Sequence, residues 1–221
     1  MTMRRVLSKI TVVALIVLLT MALVEFGWAY FKSPTIVARF EHVTPLQLTP
    51  YLLGQGRVEW LLAVEDPNFY HHHGLDLRTP GAGYTTITQG VVKILFFENF
   101  KPGLFRWRKA KQIIIAIAFN ARVPKNEQLT LFINTVNLGT VHGRDIKGFS
   151  EASETYFKKP TNELTDQEYL SLVAMIVAPS KYNVLTHPTE NHERVQRIEN
   201  LLAGKCKPKG LADIEYSACG Q

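Results

Sequence analysis

What most limits this chain lies at its N-terminus. Ile10 to Val24 is an apolar run without a charge, and Arg4, Arg5 and Lys9 precede it. Glu25 interrupts, but Phe26, Trp28, Tyr30 and Phe31 prolong the apolar character. At roughly 1.5 Å per helical residue, Ile10 to Phe31 reaches about 30 Å, the thickness of the hydrocarbon layer of a bilayer. Trp28, Tyr30 and Phe31 suit an interfacial belt at the far end. A cleaved leader would need small residues after a shorter apolar core, whereas Glu25-Phe26-Gly27-Trp28-Ala29-Tyr30 is bulky and aromatic. The sequence therefore predicts a basic cytoplasmic N-terminus over residues 1–9 and a single transmembrane anchor over 10–31. Everything after about residue 32 is then expected on the far side of the membrane.

That topology decides how the charge is read. A net charge of +6 would ordinarily suggest nucleic acid, which an extracytoplasmic domain rarely meets. Anionic lipid head groups or a pyrophosphate-bearing substrate fit better, unless the excess is spread over a solvated face. The only cysteines, Cys206 and Cys219, stand close together in an oxidising compartment. A disulfide between them would be worth about 3 kcal/mol, the alternative being two unpaired thiols.

Beyond the anchor the pattern is mainly helical and supports one core. Residues 32–57 read as a linker and membrane-proximal segment, 58–188 as the main domain and 189–221 as a charged tail. Pro80, Gly81 and Gly83 mark a loop before a helix over Thr86 to Leu95, and Pro102 and Gly103 break the chain again. Helices are expected over Trp107 to Val123, Lys125 to Leu138, Phe149 to Phe157 and Asp166 to Val177, with a turn or loop from Gly139 to Gly148. Thr165-x-x-Glu168 has the spacing of a capping box.

The chemistry concentrates in Val64-Glu65-Asp66-Pro67-Asn68-Phe69-Tyr70-His71-His72-His73-Gly74. A carboxylate emerging from an apolar run can have a raised pKa and serve as a general base or acid. The alternative is that Glu65 and Asp66 close a helix and the histidines lie in a solvated loop. Further on, Thr85, Thr86, Thr88, Gln89 and Lys93 form a polar cluster after the glycine-rich loop, without the spacing of a Walker loop. Arg108, Lys111, Gln112 and Ile115 share one helical face, a candidate receptor for a pyrophosphate or else a solvated basic turn. Consecutive histidines point different ways, so His71–His73 with Asp76 make a poor zinc site. Gly-x-Ser-x-Gly and Ser-x-x-Lys are absent, which disfavours serine acyl transfer.

Taken in order, these segments resemble one family, the peptidoglycan glycosyltransferases (family 51). Glu65-Asp66-x-x-Phe69-x-x-His72-x-Gly74 resembles its first motif, and Gly83-x-Thr85-Thr86-Ile87-x-Gln89 with Lys93 its second. Arg108-Lys109-x-x-Gln112-x-x-x-Ala116 resembles the third, and Lys125 followed by Leu129, Phe132, Ile133, Asn134 and Gly139 the fourth. Gly148, Ala152, Tyr156-Phe157, Leu164, Glu168 and Ala178-Pro179-Ser180-x-Tyr182-Asn183 resemble the fifth. The single anchor, with no transpeptidase-like continuation, points to the monofunctional kind.

The resemblance implies a lysozyme-like helical domain that polymerises lipid II at the outer face of the membrane. It assigns Glu65 as general base with Asp66 beside it. It implies substrate binding by Phe69, His72, Thr85, Thr86, Gln89, Lys93, Arg108, Lys109, Lys111, Gln112, Asn134 and Tyr182. It requires no cofactor but admits a divalent cation, magnesium or manganese. Its implied partners are lipid II, the growing glycan strand, membrane lipids and a cell-wall synthesis or division complex, with no nucleic acid.

Four positions depart from the family pattern. Gln112 stands where a second glutamate is usual, Gly90 where a second glutamine is, Ile94 where an asparagine is, and Thr130 where a glutamate is common. Gln112 cannot ionise, so reduced polymerisation or a non-catalytic lipid II-binding or scaffold role stands as the alternative. A lysozyme-like cleaver is disfavoured, because Asp66 is too near Glu65 in sequence to face it across a sugar.

Overall fold

The structure, a computed structural model, describes residues 2–97 and 105–220. The break expected at Pro102 and Gly103 lies outside them. Helix α1 (Thr2–Val43) runs through Pro34 without interruption, so the linker expected from residue 32 begins later. The reason is tertiary. Glu25, Ala29, Ser33 and Val37 stand four residues apart on one face of α1, and α1 packs along α5 (Phe105–Asn120). Ala29 and Ser33 are fully buried, and the Ser33 hydroxyl donates to the Ala29 carbonyl at 2.6 Å. Trp28 meets Phe96 edge-on, and the Arg122 guanidinium lies 4.8 Å above the Tyr30 ring. Ile10 to Val24, by contrast, keeps its large apolar side chains exposed. The helix is long and apolar enough to cross a membrane.

A short α2 (Pro50–Leu53) leads into α3 (Gln55–Glu65). Helix α4 (Ile87–Phe96) starts at Thr86, whose hydroxyl accepts from the Gln89 N–H. Helices α6 (Lys125–Thr135), α7 (Gly148–Phe157), α8 (Asp166–Met175) and α9 (Pro188–Leu202) complete a single core. Leu61, Phe119, Leu129, Ile133, Phe149 and Leu172 are among its fully buried residues. The capping box predicted at α8 forms in both directions, Thr165 with Glu168.

Helix α6 ends three residues earlier than its apolar pattern suggests, and Gly139 to Gly148 is not simply a turn. Strands β1 (Asn137–Val141) and β2 (Arg144–Lys147) pair antiparallel, with Val141 opposite Arg144. The two-residue connection, His142 at φ 51° and Gly143 at φ 78°, has the left-handed backbone of a tight hairpin turn. His142-Gly143 is a legible turn signal, but the strands are too short for alternation to reveal them.

Residues 189–220 are more ordered than a charged tail would be. Val195 and Ile198 of α9 are buried, and Cys206 is joined to Cys219 by a disulfide. The chain-entropy effect of such a loop is about 3 kcal/mol.

Candidate active site

Helix α3 delivers Glu65 to the wall of a cleft of about 980 Å³. The opposite sides come from the Gly81–Thr86 loop, α4 with Lys93, the hairpin with Lys147, and Ile176 to Ser180. Glu65 is half-buried and its carboxyl is pushed up to about 7. Burial is the main cause; Arg194 pulls the other way and neighbouring Asp66 adds a smaller upward push. A group with that pKa can hold or release a proton near neutral pH.

Asp66 has a different job. Its carboxylate is buried and lies 2.9 and 3.1 Å from the His72 Nε2, and it also accepts from the Ile87 N–H at 2.9 Å. The Gly74 N–H donates to His72 Nδ1 at 3.0 Å, which makes Nε2 the protonated nitrogen that donates to Asp66. Asp66 therefore ties the first motif to the start of α4. Thr86 adds to the same joint by donating to the Gly74 carbonyl at 3.0 Å. Gly74 itself has φ 90°, and a Cβ there would sit 2.5 Å from the Ala116 carbonyl oxygen of α5. Gly74→Ala is expected to destabilise the protein by more than about 2 kcal/mol, read as a fall in thermal midpoint, through strain and overlap together.

The cationic residues separate. Lys109 Nζ reaches Gln89 Oε1 at 2.6 Å and Thr85 Oγ1 at 3.1 Å, beside the cleft wall. Its pKa is lowered by burial and by Lys93 nearby, so two cations crowd this side of the cleft. Lys111, expected to bind the same ligand, instead points to α1 and pairs with Glu25 at 3.1 Å. Lys111 lies on the face the helical spacing predicted, but its partner there is a carboxylate of α1. Gln112 is buried and donates its Nε2 to the Gln89 carbonyl at 2.7 Å, joining α5 to α4.

Three further residues expected at substrate serve the scaffold. Asn134 accepts from the Gln47 and Leu48 N–H groups and donates to the Leu48 and Thr130 carbonyls, pinning the segment after α1 to α6. Phe69 is buried beneath Lys125, whose Nζ lies 4.4 Å over the ring. Tyr182 is buried with the Arg194 guanidinium 5.2 Å over its ring. The histidine run gathers no metal site. His72 is committed to Asp66, and Asp76 accepts from Asn68, Arg78 and Thr79 in a turn. Partial burial opposes it, but these hydrogen bonds hold the Asp76 carboxyl down to about 2.

The divalent cation admitted by the family resemblance needs several oxygen donors. Asp66 is already engaged, Gln112 presents its amide N–H to a carbonyl, and no three His, Cys, Asp or Glu side chains converge among the described residues. These residues do not fit such a cation.

Sequence reasoning missed Lys147, Ile214 and Arg194. Lys147 and Ile214 line the cleft only because the hairpin and the C-terminal segment fold back onto it. Arg194 is 1 % exposed and sits between the rings of Tyr182 and Tyr216, with Nε donating to the Ala174 carbonyl. An arginine beside Val195 and Ile198 on the apolar side of an otherwise amphipathic helix was the available signal.

The helical domain thus sets a raised carboxyl in a cleft that Lys93 and Lys147 also line. The transglycosylase family model matches residues 53–203, and the chain belongs to that family (glycosyltransferase family 51), which has a lysozyme-like helical fold. Penicillin-binding protein 1F of Bacillus subtilis (strain 168) is 35% identical over 157 residues, covering 65% of this chain and 21% of that protein. Penicillin-binding protein 1B of Escherichia coli (strain K12) is 35% identical over 158 residues, covering 66% of this chain and 18% of that protein. Penicillin-binding protein 1A of Pseudomonas aeruginosa is 28% identical over 180 residues, 75% of this chain and 21% of that protein. The chain thus spans about a fifth of the length of these relatives.

Proposed function

We propose that the protein is a peptidoglycan glycosyltransferase that polymerises lipid II into β-1,4-linked glycan strands. Glu65 removes the proton from the acceptor 4-hydroxyl, and the freed oxygen attacks the donor sugar carbon with inversion. The bond to lipid pyrophosphate breaks and its electron pair leaves with the phosphate. Lys93 and Lys109, with Arg108 at the start of the same helix as Lys109, offset the charge that grows there. Asp66 and His72 hold the base and the start of α4 in register. The anchor keeps the domain at the membrane where both substrates reside, with the N-terminus cytoplasmic and the domain on the outer face of the inner membrane.

The observation that carries this reading is Glu65, a carboxyl raised to about 7 on the wall of a cleft that Lys93 and Lys147 also line. The test is purified full-length protein with labelled lipid II, products resolved by size. Elongated glycan supports the reading; intact lipid II at every enzyme concentration sinks it.

Gln112 favours a second reading, a lipid II-binding domain with little turnover. If the missing glutamate silences the site, Gln112→Glu restores polymerisation. The donated bond to the Gln89 carbonyl argues otherwise, because an ionised glutamate there puts an acceptor against an acceptor. Gln112→Glu is expected to lower the thermal midpoint, with a cost of about 1–3 kcal/mol for the lost bond and the carboxylate set against the carbonyl, and to bring no gain in product. A rise in polymerisation would establish the second reading.

A further inference from the structure

The family match ends at residue 203, yet the chain beyond it returns to the cleft. Two backbone bonds bring it there: the Gly81 N–H donates to the Gly210 carbonyl and the Gly83 N–H to the Leu211 carbonyl, both at 2.9 Å. The contact explains why the loop needs glycine. At Gly81 (φ 80°) a Cβ would lie 2.8 Å from the Pro208 ring and 2.9 Å from the Tyr216 ring. At Gly83 (φ 68°) it would lie 2.7 Å from Ile214 Cγ2. The glycines that resembled a phosphate cradle are the seat of this segment.

The segment is firmly held. Cys206–Cys219 closes it, Asn200 Nδ2 donates to the Cys219 carbonyl at 3.0 Å, and Lys181 pairs with Glu215 at 2.8 Å. Between these anchors one side chain lines the site and a second lies behind it. Ile214 lines the cleft beside Tyr84, and both remain partly exposed, at 37% and 61%. Together they form an apolar edge suited to the C–H face of a sugar ring. Tyr216 is buried and its hydroxyl donates to the carbonyl of Val64, the residue before Glu65.

We infer that the disulfide-closed segment 204–220 is a working wall of the cleft, in which Ile214 contacts the sugar of a lipid-linked substrate and Tyr216 is a positioning residue for Glu65. This rests on the glycosyltransferase reading given above. The wall acts through two separable routes. Ile214 supplies binding that is equal in ground and transition states, whereas Tyr216 fixes the end of α3 and so the surroundings of the base.

The test uses the full-length protein in vesicles. Hydrogen exchange is measured with and without lipid II, and kinetics are measured for two single variants. Substrate is expected to slow exchange in both the 81–85 and the 208–216 segments. Ile214→Ala is expected to raise KM about 5–10-fold with kcat within about twofold, the pattern of lost uniform binding. Tyr216→Phe keeps the ring but loses the bond to Val64. It is expected to lower kcat and to move the acid limb of kcat/KM down by about half a pH unit or more, because a loosened α3 terminus admits water to Glu65. Ile214→Ala keeps the test decisive if Tyr216→Phe folds poorly.

Protection confined to 81–85, or two variants with the parent's KM and pH profile, overturns the inference and leaves the glycosyltransferase reading intact. A parent that binds lipid II with protection of 208–216 but makes no product sinks the catalytic reading and retains the wall. A parent that shows neither protection nor product overturns both.

Discussion

Glu65→Gln is expected to lower polymerisation of lipid II by about 10²- to 10⁴-fold, the range a positioned general base supplies. Glutamine keeps the shape and loses the proton acceptor, so binding should persist while turnover falls. The parent's own pH dependence carries the same signature. With a carboxyl near 7, the active anionic fraction rises with pH, and kcat/KM is expected to increase about tenfold from pH 6 to pH 8. Stability should move the opposite way. The folded carboxyl titrates higher than the ordinary value of 4.5, so the folded state binds the extra proton between those values. Its contribution is fully present below about 4.5 and is lost as pH rises through about 7. Glu65→Gln should therefore gain thermal stability relative to the parent at pH 8 and little at pH 5. A variant that polymerises at the parental rate would remove Glu65 from the role of base.

Asp66→Ala should fail for another reason. It strands the His72 Nε2–H and the Ile87 N–H, two buried donors that the Asp66 carboxylate now satisfies. Each unsatisfied donor costs about 1–3 kcal/mol, so the two together cost at least about 2 kcal/mol. For a chain of this size that is a fall of at least about 4 °C in the thermal midpoint. Differential scanning of the purified protein separates the two neighbours: Glu65→Gln loses turnover without this fall, whereas Asp66→Ala loses both. An unchanged midpoint for Asp66→Ala would show that it does not hold the first motif to α4.

Local patterns carried most of the helical architecture. Thr86 and Thr165 announce helix starts through the hydroxyls that cap them, and both caps form. The ordered motifs were equally legible, and Glu65 stands where its apolar approach suggested. Side-chain destinations were not legible in the same way. Lys109 and Lys111 are two residues apart on one helix, and nothing local distinguishes them. One reaches Gln89 by the cleft and the other meets Glu25 on α1, because α5 lies between those two surfaces. Asn134 looked like a ligand-binding residue, yet all four of its hydrogen bonds hold backbone from elsewhere in the chain or its own helix.

The apolar run Ile10 to Val24, the cap signals and the motif order are properties of neighbours along the chain, and those alone pointed to a helical domain of the transglycosylase family behind a long apolar helix. The reach of α1 to Val43, the scaffold duty of Asp66, and the return of Ile214 and Tyr216 to the cleft depend on partners distant in sequence. Burial and hydrogen-bond satisfaction are settled only when such partners meet, so folding alone decided which of the motif residues line the cleft and which hold the wall behind it.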